Sequence, residues 1–250
     1  MKVTVKVKDN AQPLAIHTEF IKLNNTGDEN YFVDQGGLSK GTGGVGATIH
    51  QVGSKPYSFY LFQQLYDNNG KPIQNALVDR DGDGKISQND RYNTKKSPLP
   101  DFFYGVNLKL SYKNWDFGFN GHGSIGNYAF NDFASANSTA NMDVNSGILS
   151  NYAKSVLDTG WVAANSQEQW ASDHFLENAS FFRLDDVNLG YTFDKIGNTD
   201  LKIRVAAGVQ NVFVITKYSG VDPEVSSSTG IDGTIWPRPR IYSLRVNLNF

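Results

Sequence analysis

Over its last nine positions, 242–250, the chain alternates strictly between apolar and polar residues. Tyr242, Leu244, Val246, Leu248 and Phe250 fall on one face, and Ser243, Arg245, Asn247 and Asn249 on the other. Successive strand side chains point to opposite faces, so the pattern predicts a strand over 240–250 with one apolar and one wet side. Such a strand suits a half-buried position in a soluble sandwich. It also suits a membrane barrel, where about ten residues cross the bilayer with lipid on one face and lumen on the other. Other stretches repeat the pattern. Val3, Val5 and Val7 alternate with Lys2, Thr4 and Lys6 over 2–8, and a turn at 9–13 leads to a strand over 14–24. Over 102–112, Tyr104, Val106, Leu108, Leu110 and Tyr112 oppose Gly105, Asn107, Lys109 and Ser111. A tight turn at Lys113 and Asn114 then leads to Trp115, Phe117 and Phe119 against Asp116, Gly118 and Asn120, the clearest hairpin of the chain. Val187, Leu189, Tyr191 and Phe193 mark a strand over 182–193, and Leu201, Ile203, Val205, Ala207 and Val209 one over 201–213. Between them, Ile148, Leu149, Tyr152 and Val156 keep helical spacing, with Gly160 placed to stop that helix.

The connections sort by length. Those at 9–13, 113–114 and 194–200 are short, whereas those at about 25–101, 124–179 and 214–239 are long. Outer-membrane barrels have short periplasmic turns and long extracellular loops; a sandwich has no reason to sort its loops by end. Large apolar residues flank the short turns. Tyr112, Trp115, Phe193 and Phe250 are therefore expected at one level, as an interfacial aromatic girdle. Seven strands are too few to close a barrel, and open edges are not tolerated in lipid. The expected fold is all-β: an antiparallel transmembrane β-barrel, with residues 1–250 as the carboxy-terminal portion of a larger one. The start, Met1-Lys-Val-Thr-Val-Lys-Val-Lys, carries no export signal, which fits the same expectation.

Composition changes this picture little. The mean hydropathy of −0.42 would suit a soluble protein, but barrels are polar inside and in their loops. A net charge of −2 offers no field for nucleic acid, and the absence of cysteine excludes disulfides and thiolate metal sites.

Four stretches carry a resemblance. They are Asp79-Arg-Asp-Gly-Asp-Gly-Lys-Ile-Ser; Phe103-Tyr-Gly-Val-Asn with Tyr112-Lys-Asn-Trp-Asp-Phe; Phe175-Leu-Glu-Asn-Ala-Ser-Phe-Phe-Arg-Leu with Val187-Asn-Leu-Gly-Tyr-Thr; and Gln210-Asn-Val-Phe-Val-Ile-Thr-Lys-Tyr-Ser-Gly-Val-Asp-Pro-Glu-Val. In order and spacing, from about residue 20 onward, they resemble the carboxy-terminal barrel of the SusC/RagA family of TonB-dependent outer-membrane transporters. The resemblance implies a whole protein of about 22 strands with an amino-terminal plug and a TonB box, neither of which is in these residues. It also implies import of glycan oligosaccharides or peptides, a SusD-like surface lipoprotein as partner, and the outer membrane of a Gram-negative bacterium as location.

Asp79, Asp81, Asp83, Lys85 through its carbonyl, Ser87 and Asp90 follow the spacing of an EF-hand calcium loop, with Gly84 at the sixth position. Asp90 replaces the usual Glu at the twelfth, which shortens its reach. A structural Ca2+ is the expectation, and a merely polar turn the alternative. The wet strand faces carry Lys109, Lys202, Arg204 and Arg245, for water, substrate or plug contact. Arg183 shares the parity of Val187 and Leu189, so it must sit above the lipid at the loop end of its strand. Among the loop aromatics Tyr57, Tyr60, Trp161, Trp170, Tyr218 and Trp236, the candidates for substrate contact are Tyr218 and Trp236. His17, His50, His122 and His174 show no metal spacing, and Asp185 and Asp186 fall on opposite faces of a strand. No catalytic constellation or phosphate loop is visible, so no enzyme is expected. The competing reading is a soluble, calcium-stabilised β-domain for binding or adhesion.

Overall fold

The computed structural model describes residues 2–9 as backbone, and 32–40, 46–140, 151–162, 165–194, 201–224, 228–233 and 236–249 with side chains. The strand expected over 14–24, His17, Ile148, Leu149 and Phe250 lie outside these residues.

Along the chain, β1 (Lys2–Asp9) is followed by β2 (Phe32–Gln35), β3 (Thr48–Gln51), β4 (Ser58–Phe62), β5 (Gln64–Tyr66), β6 (Pro72–Leu77) and β7 (Arg91–Asn93). Long strands β8 (Phe102–Tyr112) and β9 (Trp115–Ile125) form the expected hairpin, with Tyr112 paired to Trp115 and Lys113 turning at φ +50°. After β10 (Tyr128–Phe130) come three short helices, α1 (Asp132–Ala136), α2 (Lys154–Thr159) and α3 (Gln167–Trp170). Then come β11 (Leu176–Asn178), β12 (Phe181–Phe193), β13 (Lys202–Thr216) and β14 (Ile241–Asn249). Gly160 ends α2 as expected: at φ +70° it takes the left-handed conformation and its N–H closes on the Val156 carbonyl. Tyr152, however, precedes the helix, which begins only at Lys154.

Six strands form one antiparallel wall in the order β1-β8-β9-β12-β13-β14. Directly paired residues share a face, so register carries each strand's alternation across the sheet. One row runs Leu108, Phe119, Val187, Val209, Tyr242; the next residues along make the row Lys109, Gly118, Asn188, Gly208, Ser243. The wall is thus apolar on one side and polar on the other. Among the described residues no second sheet covers the apolar side, where Leu189 is 45% and Leu244 75% exposed. A sandwich would bury exactly this face, so the soluble reading loses its core. The wall is a segment of a larger antiparallel barrel.

One irregularity corrects the parity argument for Arg183. Between Leu184 and Asp186 the register of β12 shifts against both neighbours, leaving Asp185 as a bulge. A bulge residue inverts which face the following residues take. Arg183 therefore pairs with His122 on the polar side, while Leu184 and Phe182 take the apolar side. For the same reason Asp185 and Asp186 do not diverge. Asp185 meets His122 and Asp186 accepts from Asn120, both on the polar face of β9.

At the other end of the wall from the short turns, the long connections fold into a layer of their own. It contains a four-stranded sheet, β2-β3-β4-β7, and the pairs β5-β6 and β10-β11. Its core gathers Phe59, Leu61, Phe130, Trp161 and Phe175 from connections far apart in sequence. The aromatic patch at 57–66 thus packs within the loops, with Phe59 and Phe62 fully buried.

Candidate functional site

The densest polar assembly lies where the polar face of the wall meets the loop between β13 and β14. Arg183, buried at the loop end of β12, donates from Nε to Glu224 Oε2 (2.9 Å), from Nη2 to Asp222 Oδ1 (2.5 Å) and from Nη1 to Asn211 Oδ1 (2.9 Å). Asn211 reaches it from φ +51°, a left-handed position that Asn tolerates better than most residues. Arg238 closes the other side, Nε lying 3.2 Å from Asp222 Oδ2 and Nη1 3.0 Å from Glu224 Oε2. His122 of β9 completes the group, with Nδ1 2.6 Å from Asp185 Oδ2 and Nε2 3.0 Å from Glu224 Oε1. Burial opposes the charge of Glu224. The His122 hydrogen bond and the positive charges of His122, Arg238 and Arg183 nevertheless hold its carboxyl below the usual range. Beside this cluster is a cavity of about 540 Å3, lined by Phe103, His122, Phe181, Pro223, Glu224 and Arg238 among others.

Lower on the polar face, Arg204 grips Asp116 through two nitrogens, Nε at 2.9 Å and Nη2 at 2.5 Å. Asp116 lies on β9 and Arg204 on β13, so the pair spans β12, and it does so over Gly190. A Cβ there would lie 2.5 Å from both partners.

The proposed metal residues divide. Carboxylate oxygens of Asp79, Asp81 and Asp83 come within 4.8 Å of one another, all three side chains being exposed. Asp79 also accepts from the N–H groups of Gly82 and Gly84, both at positive φ, which is what curls the loop. Asp90 is buried. It accepts from the backbone of Ser87, Arg80 and Asp81, and the first two of these hold its carboxyl below the usual range. Ser87 and Asp90 form a capping box, so both act first as the clip that closes the loop. Asp81 and Asp83 also accept backbone N–H groups, from Asp83 and Lys85, and the all-oxygen set of three exposed carboxylates with the Lys85 carbonyl fits a hard oxygen-seeking cation.

At the short-turn end, Tyr112 (70% exposed), Trp115 and Phe193 all lie on the apolar face, joined by Tyr191, whose ring meets Trp115 and Phe193 edge-on. A second aromatic row, Tyr104, Phe182 and Phe213, crosses the same face near the loop end. Tyr104 and Tyr112 are eight residues apart, roughly 27 Å along a strand. On a tilted strand that spacing is about the height of a barrel's apolar band. Sequence reading found the first row only, because the Asp185 bulge hides the parity of Phe182.

Comparison with known proteins decides the family. Over 240 residues, 94% of this chain, it is 41% identical to the TonB-dependent receptor SusC of Bacteroides thetaiotaomicron. The chain belongs to the SusC/RagA family. It is 30% identical over 221 residues to a TonB-dependent receptor of Formosa agariphila. Among solved structures, the RagAB peptide transporter superposes with a TM-score of 0.64 at 22% identity, covering 82% of this chain. The open-open state of the RagAB peptide importer gives 0.62 at 20% identity over 90%. No family model matches the chain. It spans 23% and 21% of the two receptors' lengths and 24% of the RagAB chains, so it is a partial chain.

In a SusC/RagA-type barrel the apolar side of the wall faces lipid and the polar side the lumen, which places the Arg183 cluster at the outer mouth of the lumen. The aromatic candidates fare differently. Tyr218 is buried with Ala129 and Ala179, and its hydroxyl donates to Asp232 at 2.7 Å. Its ring faces are taken, so it is a core residue and not a substrate platform. Trp161 is likewise buried, with Nε1 donating to the Pro72 carbonyl. Trp236 stands 94% exposed and free to stack. The Arg183 cluster escaped sequence reading. Arg183 stood out by its parity, and Val221-Asp-Pro-Glu-Val225 carries a pair of carboxylates, but these stretches lie far along the chain from His122.

Proposed function

We propose that the complete protein is a TonB-dependent importer in the outer membrane of a Gram-negative bacterium, taking up oligosaccharides or peptides together with a SusD-like surface lipoprotein. The observation that carries this reading is the two-faced wall, joined to 41% identity with a TonB-dependent receptor over nearly the whole chain. These residues supply part of the barrel and a packed layer of loops at its mouth. TonB coupling and most of the lumen belong to the rest of the chain. The test is uptake by cells carrying or lacking the complete gene, supplied in turn with glycan and peptide mixtures, alongside affinity purification of the receptor from the membrane. Loss of growth on one nutrient class, and a co-purifying lipoprotein, support the reading; unchanged uptake of both classes sinks it.

A second proposal concerns Asp79, Asp81 and Asp83, which we assign to a structural Ca2+ with Lys85 and with Ser87 and Asp90 as the loop's closing clip. The mutual approach of three exposed carboxylates supports it, because like charges at that distance repel without a cation. Terbium luminescence of the purified receptor, displaced by roughly millimolar Ca2+ and abolished in Asp81→Asn, is the expected result. Equal luminescence in the variant rules the site out.

A further inference from the structure

The environment of His122 requires a particular protonation state. Each ring nitrogen faces a carboxylate oxygen, Asp185 at 2.6 Å and Glu224 at 3.0 Å. A neutral imidazole has one N–H and one lone pair, whereas the imidazolium has two N–H groups. Only the imidazolium can satisfy both carboxylates. The charge count agrees. Arg183 and Arg238 oppose Asp185, Asp222 and Glu224, and His122 supplies the third positive charge. Of the other elements packed here, β8 sets Gly105 opposite His122, β13 contributes only the uncharged groups of Asn211, and Arg240, just before β14, bonds the Asn211 carbonyl.

The two cations of the wall hold different parts of the loop. Arg183 pins Asp222 and one oxygen of Glu224 through the fork of its guanidinium. His122 holds the other oxygen of Glu224, next to Pro223, and both of those loop residues line the 540 Å3 cavity. We propose that His122 is a proton-dependent clasp that keeps the Pro223–Glu224 edge of the loop against the barrel wall and so completes this cavity at the mouth of the lumen. Below the titration of His122 both nitrogens donate and the edge is held. As the pH rises through that titration, one nitrogen turns a lone pair toward a carboxylate and the edge is released, while Arg183 keeps the base of the loop in place. The inference does not depend on what the barrel carries.

Hydrogen exchange on the complete receptor in detergent tests it, following backbone amides of residues 217–224 from about pH 6 to about pH 9, a range across which a histidine between carboxylates changes charge. Rates are divided by the intrinsic rate at each pH. Protection should fall about tenfold or more across the range, the size of one charge-assisted hydrogen bond. In His122→Gln protection should be low and flat. Should that variant fail to assemble, Glu224→Gln keeps the test alive. Its amide nitrogen can donate to a neutral His122 while its oxygen still accepts from Arg183 and Arg238, so the fall in protection with pH should disappear. A flat profile in the unmodified receptor, or an undiminished slope in Glu224→Gln, overturns the proposal.

Discussion

Leu189 and Leu244 in the wall stand about half to three-quarters exposed, whereas Phe59, Phe62 and Phe130 in the loop layer are fully buried. One chain builds both regions, and they differ in what they bury against. The wall has a hydrogen-bond ladder but, among the described residues, no apolar layer behind it, so its outer face depends on lipid and its edges on the rest of the barrel. The loop layer buries its own aromatic rings and bonds most of its buried polar groups within itself, with Asp132 Oδ1, Trp170 Nε1 and Ser172 Oγ the exceptions among the described residues. Gln169, for example, is fully buried, donating to Gln64 and accepting from Asn75. A region that carries its own core is sensitive to lost volume. A region that relies on lipid is sensitive to charge placed on its outer face.

That difference predicts which substitution harms which region. The largest effect is expected from Phe59→Ala, where losing a fully buried ring from a packed core costs about 3–5 kcal/mol. In the complete receptor it should strip hydrogen-exchange protection from residues 46–100 and leave the heat-modifiable barrel band unchanged. Loss of the band as well would show that the two regions fold as one. Next comes Leu189→Arg, on the lipid face midway along β12, with an expected cost of about 2–4 kcal/mol near the bilayer midplane. Here the barrel band should weaken. One residue away on the polar face, Asn188→Ser should leave it intact. Equal damage from both would mean that the faces have been assigned wrongly.

The wall was legible in the sequence because a strand between lipid and lumen must alternate, and Val187, Leu189, Tyr191 and Phe193 do so without interruption. Its one concealed feature, the bulge at Asp185, adds no residue type that marks it, so Arg183 was placed on the correct level but on the wrong face. In the loop layer periodicity fails. β4 is buried on both sides, with Phe59, Leu61 and Phe62 all inaccessible, and contacts join residues about a hundred positions apart, as Trp161 to Pro72 does. The same holds for the site. The run of Asp79, Asp81 and Asp83 is local and could be read directly, whereas the cluster of His122, Arg183, Asp222, Glu224 and Arg238 exists only through the fold.

The sharpest comparison uses one small change in both regions, because adding a single methyl group asks whether the surroundings can move. A Cβ on Gly46, in the loop layer, would lie 2.4 Å from both the N and the O of Gln35. These are backbone atoms one residue past the β2 carboxylate of Asp34 that already accepts from the Gly46 N–H at 2.8 Å. Nothing there can swing away, so Gly46→Ala should cost about 1–3 kcal/mol as overpacking, seen as lost exchange protection in β2 and β3. A Cβ on Gly190 is equally crowded on paper, 2.5 Å from Arg204 Nη2 and from Asp116 Oδ2. Those are the ends of flexible side chains, 30% and 26% exposed toward the lumen. Displacing a partly exposed ion pair forfeits about 0.2–1 kcal/mol, and the alanine recovers a similar amount by restricting the unfolded chain. Gly190→Ala should therefore leave the unfolding temperature of the barrel band nearly unchanged. A Gly190→Ala barrel that melts as early as the Gly46→Ala loops do would show that the lumen wall is packed as rigidly as a core, with the Asp116–Arg204 bridge a fixed part of it.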